Sequence, residues 1–376
     1  MNVISLASEL VRIPSINAAG QDRVEAPFGE AQMAACVETL LRQIGAQTTV
    51  TYPLPGRPNV TGFFDAGAND TIIFEAHLDT VAVEGMTVSP FGGEIKNNCL
   101  WGRGACDVKG PMAAMLSALQ QSAGSLKRNV LFAAVCDEES GFAGVRHFLK
   151  TMDNNLRERT VFAVIAEPTD LQPVAAHKGV VRWRITARGI AAHSSAPELG
   201  DNAIYRMADV VTTLRRHATL ISQREPHAHL GTPTLSVGII QGGSAVNIVP
   251  DSCYVDVDRR LVPGESPESA LDELVNLLGP GNDLEISVPV VAAPAFEIAP
   301  DSPAIQLAVR AANAAGRTSA PQYAKYCTDA SFYPSAGIPA FVFGPGSILQ
   351  AHTKDEWISL SELEAGVMAY RYLLEN

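Results

Sequence analysis

Acidic and imidazole side chains follow several apolar, strand-like segments of the sequence. They are His77 and Asp79 after Thr71–Ala76, Glu138 and Glu139 after Val130–Cys136, and Glu167 after Val161–Ala166. Ligands of α/β sheets bind in the crevice at the carboxyl ends of the strands. We therefore expect these side chains to be neighbours in the folded chain.

Two further residues extend this set. Asp107 lies at the centre of the turn Trp101–Gly110, where Gly102 and Gly104 permit backbone conformations that a side chain would forbid. His352 follows a Gly/Pro-rich loop near the end of the chain. Each residue alone could be a helix cap, a solvated charge or a buried structural histidine. Together they crowd negative charge at one sheet edge, which cations can neutralise, and mixed histidine and carboxylate ligands favour zinc.

The composition bounds the class of protein. The chain has 376 residues, 47% of them hydrophobic, which is enough for two domains. Its net charge of −12, without a basic block, argues against a nucleic-acid partner. No apolar run approaches the roughly 20 residues that span a bilayer, and residues 1–9 lack the pattern of a secretory leader. The scattered cysteines form no C-x-x-C pair, so we expect a cytoplasmic protein with free thiols and no membrane contact.

Uninterrupted apolar strands alternate with helices in the first part of the chain. This predicts an α/β domain whose central mixed sheet is flanked by helices. Besides the strands already given, the predicted elements are strands Gln47–Tyr52 and Asn59–Phe64 and helices Val3–Val11, Phe28–Ile44, Pro111–Gln121 and Gly141–Lys150. The same style returns after residue 291, with helices Ser302–Ala315 and Leu360–Leu374 around strand Ala340–Gly344.

From Gly179 the character changes, because Val180–Arg188 alternates apolar and polar residues as a strand with one solvated face does. Strands are predicted at Thr234–Ile240, Cys253–Arg260 and Leu284–Val290, and helices at Asn202–His217 and Ser266–Leu278. This order is the split βαβ pattern of a ferredoxin-like α+β domain. We predict that this smaller domain, residues 179–291, is inserted into a larger one, residues 1–178 and 292–376.

Motifs along nearly the whole chain resemble those of the metal-dependent hydrolase family that contains acetylornithine deacetylase, succinyl-diaminopimelate desuccinylase, aminoacylase and glutamate carboxypeptidase. They follow the family's order and are His77–Val81, Gly102–Gly110, Asp137–Gly141, Glu167-Pro168, Ala192–Ser195, Gly242–Asn247, Gly344–Gly346 and Ala351–Thr353. The resemblance implies a zinc-dependent hydrolase of linear amides, with a catalytic larger domain and an inserted lid and dimerisation domain.

The resemblance also implies a pair of divalent metal ions, most simply zinc, with cobalt or manganese as alternatives. Asp107 would bridge the two ions. His77 and Glu167 would hold one of them. Glu139 and His352 would hold the other.

Three further residues take catalytic roles in the same resemblance. Glu138 would be the general base, and Asp79 would orient His77 through its carboxylate. The residue types support both roles, because a carboxylate on the far nitrogen of a ligating histidine fixes its tautomer, and a free glutamate can carry a proton from the attacking water to the leaving amine. His193 would reach a neighbouring subunit's active site and stabilise the tetrahedral oxyanion, and a surface loop histidine is the alternative.

Substrate-binding candidates come from the resemblance as well. Arg260 matches the family arginine that grips a substrate carboxylate better than Arg259 does, because of the alternation along its strand. Asn247, Lys178 and Thr328 would contribute to the same recognition.

We therefore predict a deacylase that cleaves the amide bond of an N-acyl amino acid. The segments Asp258–Gly264 and Gly344–His352 favour the acetylornithine deacetylase-like members. The alternatives are a metallo-dipeptidase or carboxypeptidase, a succinyl-diaminopimelate desuccinylase and, from another class, a non-catalytic binding protein on the same fold. The trans-acting role implied for His193 predicts a homodimer formed through the inserted domain.

Overall fold

The computed structural model describes residues 2–19, 25–279 and 283–376. The chain divides into two compact units. The first unit comprises Met1–Ala176, Ile298–Tyr323 and Thr328–Asn376, and the second comprises His177–Glu297 and Ala324–Cys327. The predicted domain boundaries after residues 178 and 291 stay predictions, since a compact unit is not by itself a functional domain.

The helices and strands follow one another in three runs. The first run is α1 (Val3–Val11), α2 (Ala31–Ile44), β1 (Gln47–Leu54), β2 (Arg57–Phe64), β3 (Thr71–His77), β4 (Glu94–Lys96), β5 (Cys99–Trp101), α3 (Lys109–Ser122), β6 (Asn129–Val135), α4 (Ala143–Thr151), α5 (Asn154–Glu158), β7 (Thr160–Ile165) and β8 (Val174–His177). The second run is β9 (Gly179–Arg188), β10 (Ala192–His193), α6 (Ala203–Ile221), β11 (Thr234–Gly242), β12 (Ile248–Val249), β13 (Ser252–Leu261), α7 (Pro267–Leu278), β14 (Leu284–Ile286), β15 (Val291–Ala293) and β16 (Phe296–Glu297). The third run is α8 (Pro303–Ala314), β17 (Gln322–Ala324), β18 (Ala340–Val342), β19 (Trp357–Ser359) and α9 (Leu360–Glu375). Short 3-10 helices lie at Pro197–Leu199, Asp329–Phe332 and Pro334–Ala336.

The central sheet of the first unit has the strand order β1-β2-β6-β3-β7-β18-β8. β3 pairs in parallel with β6 and β7, and β18 pairs in parallel with β7, whereas β2 is antiparallel to β1 and β6. β3 and β6 are buried along their whole length, as expected of apolar strands covered on both faces. Helix α3 packs against α1 and α9 in the main core. This mixed sheet flanked by helices confirms the predicted fold class.

Helix ends follow local sequence signals. Helix α2 ends at Gly45, whose left-handed backbone suits a helix C-cap. The predicted helix over residues 28–44 begins later, at Ala31, and the residue before it, Glu30, pairs with Arg57 instead of capping the helix. Helix α6 runs to Ile221, four residues beyond its predicted end. Within the described ranges, no helix combines the length and the apolar character needed to cross a bilayer.

The second unit contains an antiparallel sheet with the order β11-β13-β9-β14. β13 alternates buried and half-buried residues, so Arg259 and Arg260 lie on opposite faces. Helices α6 and α7 contribute Met207 and Leu274 to the core on the buried face. The strand order and the two helices form the predicted ferredoxin-like arrangement. Strand β14 ends at Ile286, earlier than the predicted end at Val290, and β15 then pairs with β9 as well.

Candidate active site

Asp107 lies in the turn between β5 and α3, and its carboxylate faces two imidazoles. Its Oδ1 is 3.0 Å from Nε2 of His77, and its Oδ2 is 3.3 Å from Nε2 of His352. Asp107 and His77 are both buried. A carboxylate that turns one oxygen to each of two imidazoles has the geometry to bridge two cations.

One glutamate adds to each side of this bridge. Oε1 of Glu167 lies 3.9 Å from Nε2 of His77, and the carboxylate oxygens of Glu139 lie 3.2 and 3.1 Å from Nε2 of His352. Among the described residues, single ligand atoms of His77, Asp107 and Glu139 lie within 4.8 Å of one another. Imidazole nitrogens and carboxylate oxygens are ligands that zinc and similar divalent cations take. The structure therefore brings the predicted ligands together, and the donor set fits metal ions.

Neighbouring strand ends deliver these side chains to one edge of the sheet. β3 lies between β6 and β7 and runs parallel to both, with His77 opposite Val135. The residues that follow these strands, among them Glu139 and Glu167, therefore leave the sheet at the same edge. His352 arrives on a loop instead, with a φ of 56° that is uncommon for a residue other than glycine. Such outliers cluster at functional positions.

The crowded carboxyl groups change one another's protonation. Burial and the negative charge of Asp107 raise the pKa of Glu167 well above its ordinary value, and the same two causes raise the pKa of Glu139. Hydrogen bonds with Asp107 and Glu139 raise the pKa of His352 to about 10. Divalent cations bound among these groups would take the place of the protons and offset the repulsion.

Glu138 is buried next to this cluster. It follows β6, and its N–H donates to Oδ1 of Asp79 at 3.1 Å, which fixes the backbone from which its side chain starts. Burial raises the pKa of Glu138 well above its ordinary value, and the negative charge of Glu139 adds to the effect. A carboxyl group with a raised pKa is suited to accept and return a proton near neutral pH.

The carboxylate of Asp79 has partners other than the expected one. Nδ1 of His77 lies 2.9 Å from the main-chain carbonyl oxygen of Asp79 but 3.8 Å from its carboxylate. The carboxylate instead accepts the N–H groups of Glu138 and Glu139, each at 3.1 Å, and Nδ2 of Asn17 at 2.7 Å. Buried N–H groups in a turn need acceptors, and a carboxylate can serve several at once. The main chain of Asp79 therefore contacts His77, and its side chain holds residues 137–139, which we call the acidic loop.

Sequence reasoning missed a buried polar network behind the acidic loop. Nδ2 of Asn17 also lies 3.3 Å from Oδ1 of Asp137, and Nη1 of Arg57 donates to the same oxygen at 2.8 Å. Nε of Arg57 donates to Glu30 at 2.9 Å. Arg57 and Asp137 are 80 residues apart, so no local spacing connects them. The sequence feature that points to this network is Asp137, a third acidic residue directly before Glu138.

His193 and Asn247, two of the predicted site residues, are neighbours in the second unit. His193 lies in β10, opposite Ile248 of β12, and its Nδ1 is 2.7 Å from Oγ of Ser195. The N–H of Ser194 donates to the carbonyl oxygen of Asn247 at 3.0 Å. The His193 side chain is exposed, so its ring is open to a ligand.

The two candidate arginines differ in access. Nε of Arg260 donates to Oδ1 of Asp258 at 2.8 Å on the half-buried face of β13. Arg259 is buried on the other face, where its Nη2 donates to Glu265 at 2.7 Å. Arg260 therefore lies on the more accessible face of β13, and its role in binding a substrate stays a prediction.

The last two candidates belong to different units. Lys178, in the second unit, donates from Nζ to the carbonyl oxygen of Thr232 at 2.5 Å. Burial and the positive charges of Lys325 and Arg260 lower its pKa, so it lies in a cationic neighbourhood. Thr328 belongs to the first unit, where its hydroxyl accepts the N–H two residues on at 3.2 Å.

Comparison with known proteins gives a consistent result. Residues 73–376 match peptidase family M20/M25/M40. An acetylornithine deacetylase of Proteus mirabilis is 32% identical over 99% of this chain and 96% of its own length. A crystal structure of an M20 family metallo-carboxypeptidase from Sulfolobus solfataricus covers 100% of this chain and 99% of its own, with a TM-score of 0.82 and 19% identity. A Bacillus subtilis structure described as a dinuclear metal-binding M20 peptidase covers 99% and 96%, with a TM-score of 0.68 and 16% identity.

Proposed function

The chain belongs to peptidase family M20/M25/M40 and is a hydrolase of amide bonds, and on this premise we propose that it removes the acyl group from N-acyl amino acids. The cluster around Asp107, with Glu138 buried beside it, carries the proposal, because it joins a site for cations to a proton carrier. The similarity to an acetylornithine deacetylase along nearly the whole chain favours a small acylated amino acid as substrate.

We propose that two divalent cations, zinc in the first place, bind in this cluster. His77 and Glu167 would hold one, Glu139 and His352 the other, and Asp107 would bridge them. When bound, such cations supply Lewis acidity, which lowers the pKa of water and polarises an amide carbonyl. Cobalt and manganese accept the same ligand types and are the alternatives.

Glu138 would carry the proton in this reaction. It takes a proton from the attacking water and then gives it to the leaving amine, so that one carboxylate serves both halves of the reaction. Asp79 supports this role by accepting the N–H groups of Glu138 and Glu139, which keeps the base and its neighbour in fixed positions. Because water is the nucleophile, the residues form no covalent bond with the acyl group.

We propose that the second unit supplies recognition. His193 donates a hydrogen bond to the oxyanion, and its exposed ring supports that role. Arg260 and Lys178 hold the substrate carboxylate, for which a planar guanidinium offers bidentate contact. Asn247 would add a contact from the same unit, and Thr328, in the first unit, would add another.

We also propose a homodimer formed through the second unit. β11 is an edge strand of its sheet and exposes Ile239 and Ile240, with 52% and 59% of their surface accessible. An exposed apolar edge of this kind favours pairing with another chain. A cytoplasmic location is proposed as well, and the free state of all six cysteines supports it.

A metallo-dipeptidase or carboxypeptidase is the second candidate. The match in fold to a metallo-carboxypeptidase favours it, and the same cluster could act on a peptide bond. A succinyl-diaminopimelate desuccinylase would cleave the same kind of amide bond in a substrate with another acyl group and amino acid, and the same assay separates it. A binding protein without catalysis is the remote alternative, and the presence of Glu138 beside the ligand set argues against it.

A substrate panel tests the proposal. Zinc-loaded protein would be assayed on acetylornithine, other acetylated amino acids, succinyl-diaminopimelate and two dipeptides. We expect the highest kcat/KM on an acetylated amino acid. A clear preference for dipeptides would replace the deacylase with the peptidase, and no turnover on any of them would contradict both.

A further inference from the structure

Glu356 is a fully buried carboxylate that holds the turn carrying Asp107. It accepts the backbone N–H groups of Cys106 and Asp107 on Oε1, at 2.8 and 2.9 Å. Its Oε2 accepts the N–H of Gly104 at 3.1 Å. Three N–H groups of one turn thus converge on a side chain that lies some 250 residues further along the chain.

Arg103 completes this arrangement. Its Nη1 donates to Oε2 of Glu356 at 2.8 Å, its Nη2 to the carbonyl oxygen of Thr353 at 3.2 Å, and its Nε to the carbonyl oxygen of Ala82 at 3.0 Å. Thr353 follows His352 directly. The pair therefore ties the Asp107 turn to the His352 loop and to the segment that follows His77. We call Arg103 and Glu356 the clamp.

The shape of the turn depends on close backbone approaches. A Cβ on Gly110 would lie 2.2 Å from the carbonyl oxygen of Ala105, so the chain can pass there only as glycine. The N–H groups that such a turn directs inward need buried acceptors. Removal of the Glu356 carboxylate would leave these donors unpaired and the Arg103 guanidinium buried without its counter-ion.

The two predicted metal positions depend on the clamp to different degrees. His77 is the last residue of β3, and ladder pairing with β6 fixes it from within the sheet. His352 lies on a loop, with 54% of its side chain exposed and a left-handed backbone. The clamp contacts Thr353, the residue after His352, so its removal should displace this loop more than it displaces His77.

We propose that Arg103 and Glu356 are positioning residues that fix His352 relative to Asp107 and so retain the cation that Glu139 and His352 bind. The proposal rests on the two-cation site of the proposed function. It assigns the clamp no contact with substrate. Loss of the clamp releases the cation held by Glu139 and His352 and leaves the cation held by His77 and Glu167 in place.

Metal titration of the clamp variants tests the proposal. Glu356→Gln and Arg103→Met would be stripped with a chelator, titrated with zinc by calorimetry and analysed for bound metal after dialysis. We expect one tightly bound zinc, as in the wild type, and a second whose Kd rises about 10- to 100-fold, the usual cost of losing a group that supports a metal ligand. Arg103→Lys keeps the charge and should retain part of the affinity.

Glu265→Gln is the matched control. Glu265 also joins a buried arginine to a loop, since it accepts Nη2 of Arg259 at 2.7 Å and the N–H of Val262 at 3.1 Å, but it lies in the second unit. We expect this variant to bind both cations as the wild type does. Circular dichroism of every variant checks folding, and Arg103→Lys serves if Glu356→Gln does not fold.

Two results would overturn the proposal. One is wild-type affinity for both cations in the clamp variants, and the other is an equal loss of both. A wild-type chain that binds fewer than two cations would instead contradict the two-cation site itself, so the two failures are distinguishable.

Discussion

Glu138 adjoins a predicted metal ligand in sequence but has a different task in the proposed reaction. Both Glu138 and Glu139 donate their N–H groups to Asp79, so their backbones are fixed as a pair. Their side chains differ: in the described part of the chain, the Glu139 carboxylate lies within hydrogen-bond distance of His352. The proposal therefore separates a proton carrier from a ligand at adjacent positions.

Glu138→Gln should strongly lower turnover without releasing metal. The amide cannot accept a proton from water, so kcat should fall about 10²- to 10⁴-fold, the contribution of a positioned general base. Metal analysis and kinetics on the same sample check this. The neighbouring variant Glu139→Gln is the control and should lose metal affinity. Metal loss in Glu138→Gln would make Glu138 a ligand.

His177 should make part of the stability depend on pH. It is buried, stacks on Phe296 at a ring distance of 5.2 Å, and burial lowers its pKa from 6.5 to about 4. Folding therefore favours the neutral ring. Above pH 6.5 the ring is neutral in both states, so it does not change the free energy of unfolding. Between pH 6.5 and 4 the unfolded chain binds a proton that the folded chain does not, so the free energy of unfolding falls.

The size of this effect can be measured against His177→Gln, which does not titrate. At about pH 5.5, His177 should lower the free energy of unfolding of the wild type by about 1.4 kcal/mol, which corresponds to one pKa unit. Urea unfolding at pH 7.5 and 5.5 should therefore show a smaller decrease for the variant. Equal decreases for the two proteins would contradict the assignment.

At the scale of elements, the acidic loop depends on a charged network that connects β2, the segment before α2 and the end of β6. Arg57 is buried between Glu30 and Asp137. Asp137 itself has a φ of 70°, a conformation that needs support from its surroundings. The network thus supports the loop that carries Glu138.

Arg57→Met should destabilise the protein strongly, because it leaves two buried carboxylates without a counter-ion. We expect a loss of about 3–5 kcal/mol in the free energy of unfolding. Arg42→Met is the control: Arg42 pairs with Glu38 at 2.6 Å but its side chain is 65% exposed, so the loss should stay under about 1 kcal/mol. Similar losses in both variants would contradict the argument.

How far the sequence predicts this molecule differs by element. Strands such as β3 and β6 can be predicted from the sequence, because a strand buried on both faces is a continuous apolar segment. The ends of these strands then indicate where His77 and Glu139 lie. The clamp and the Arg57 network could not be predicted from the sequence, because each joins residues that are far apart in the chain and show no periodic pattern. Nδ1 of His77 lies closer to the main-chain oxygen of Asp79 than to its carboxylate, a difference that residue type alone does not predict.

At the scale of the whole molecule, the proposed dimer can be tested through complementation. If His193 acts on the neighbouring subunit, His193→Ala and Glu138→Gln chains should each be inactive alone but partly active together. In a mixed dimer one site receives both an intact Glu138 and an intact His193. Random pairing should then restore about a quarter of the wild-type turnover, because half of the dimers are mixed and half of their sites are intact.

Co-expression of the two variants with different tags provides the sample, and sedimentation reports the oligomeric state. Coexpressed wild-type and Glu138→Gln chains are the control for the effect of pairing itself. A monomer in solution, or no recovery of turnover in the mixed dimers, would contradict the proposed role of His193.

The most direct test of the central claim is a metal titration of the wild-type chain with turnover followed in the same cuvette. After chelation the protein should be folded and inactive towards acetylated amino acids. Stepwise addition of zinc should restore turnover only as the second equivalent binds, since Asp107 faces an imidazole on each side. Turnover in the stripped protein, or full turnover without a second bound ion, would contradict the account.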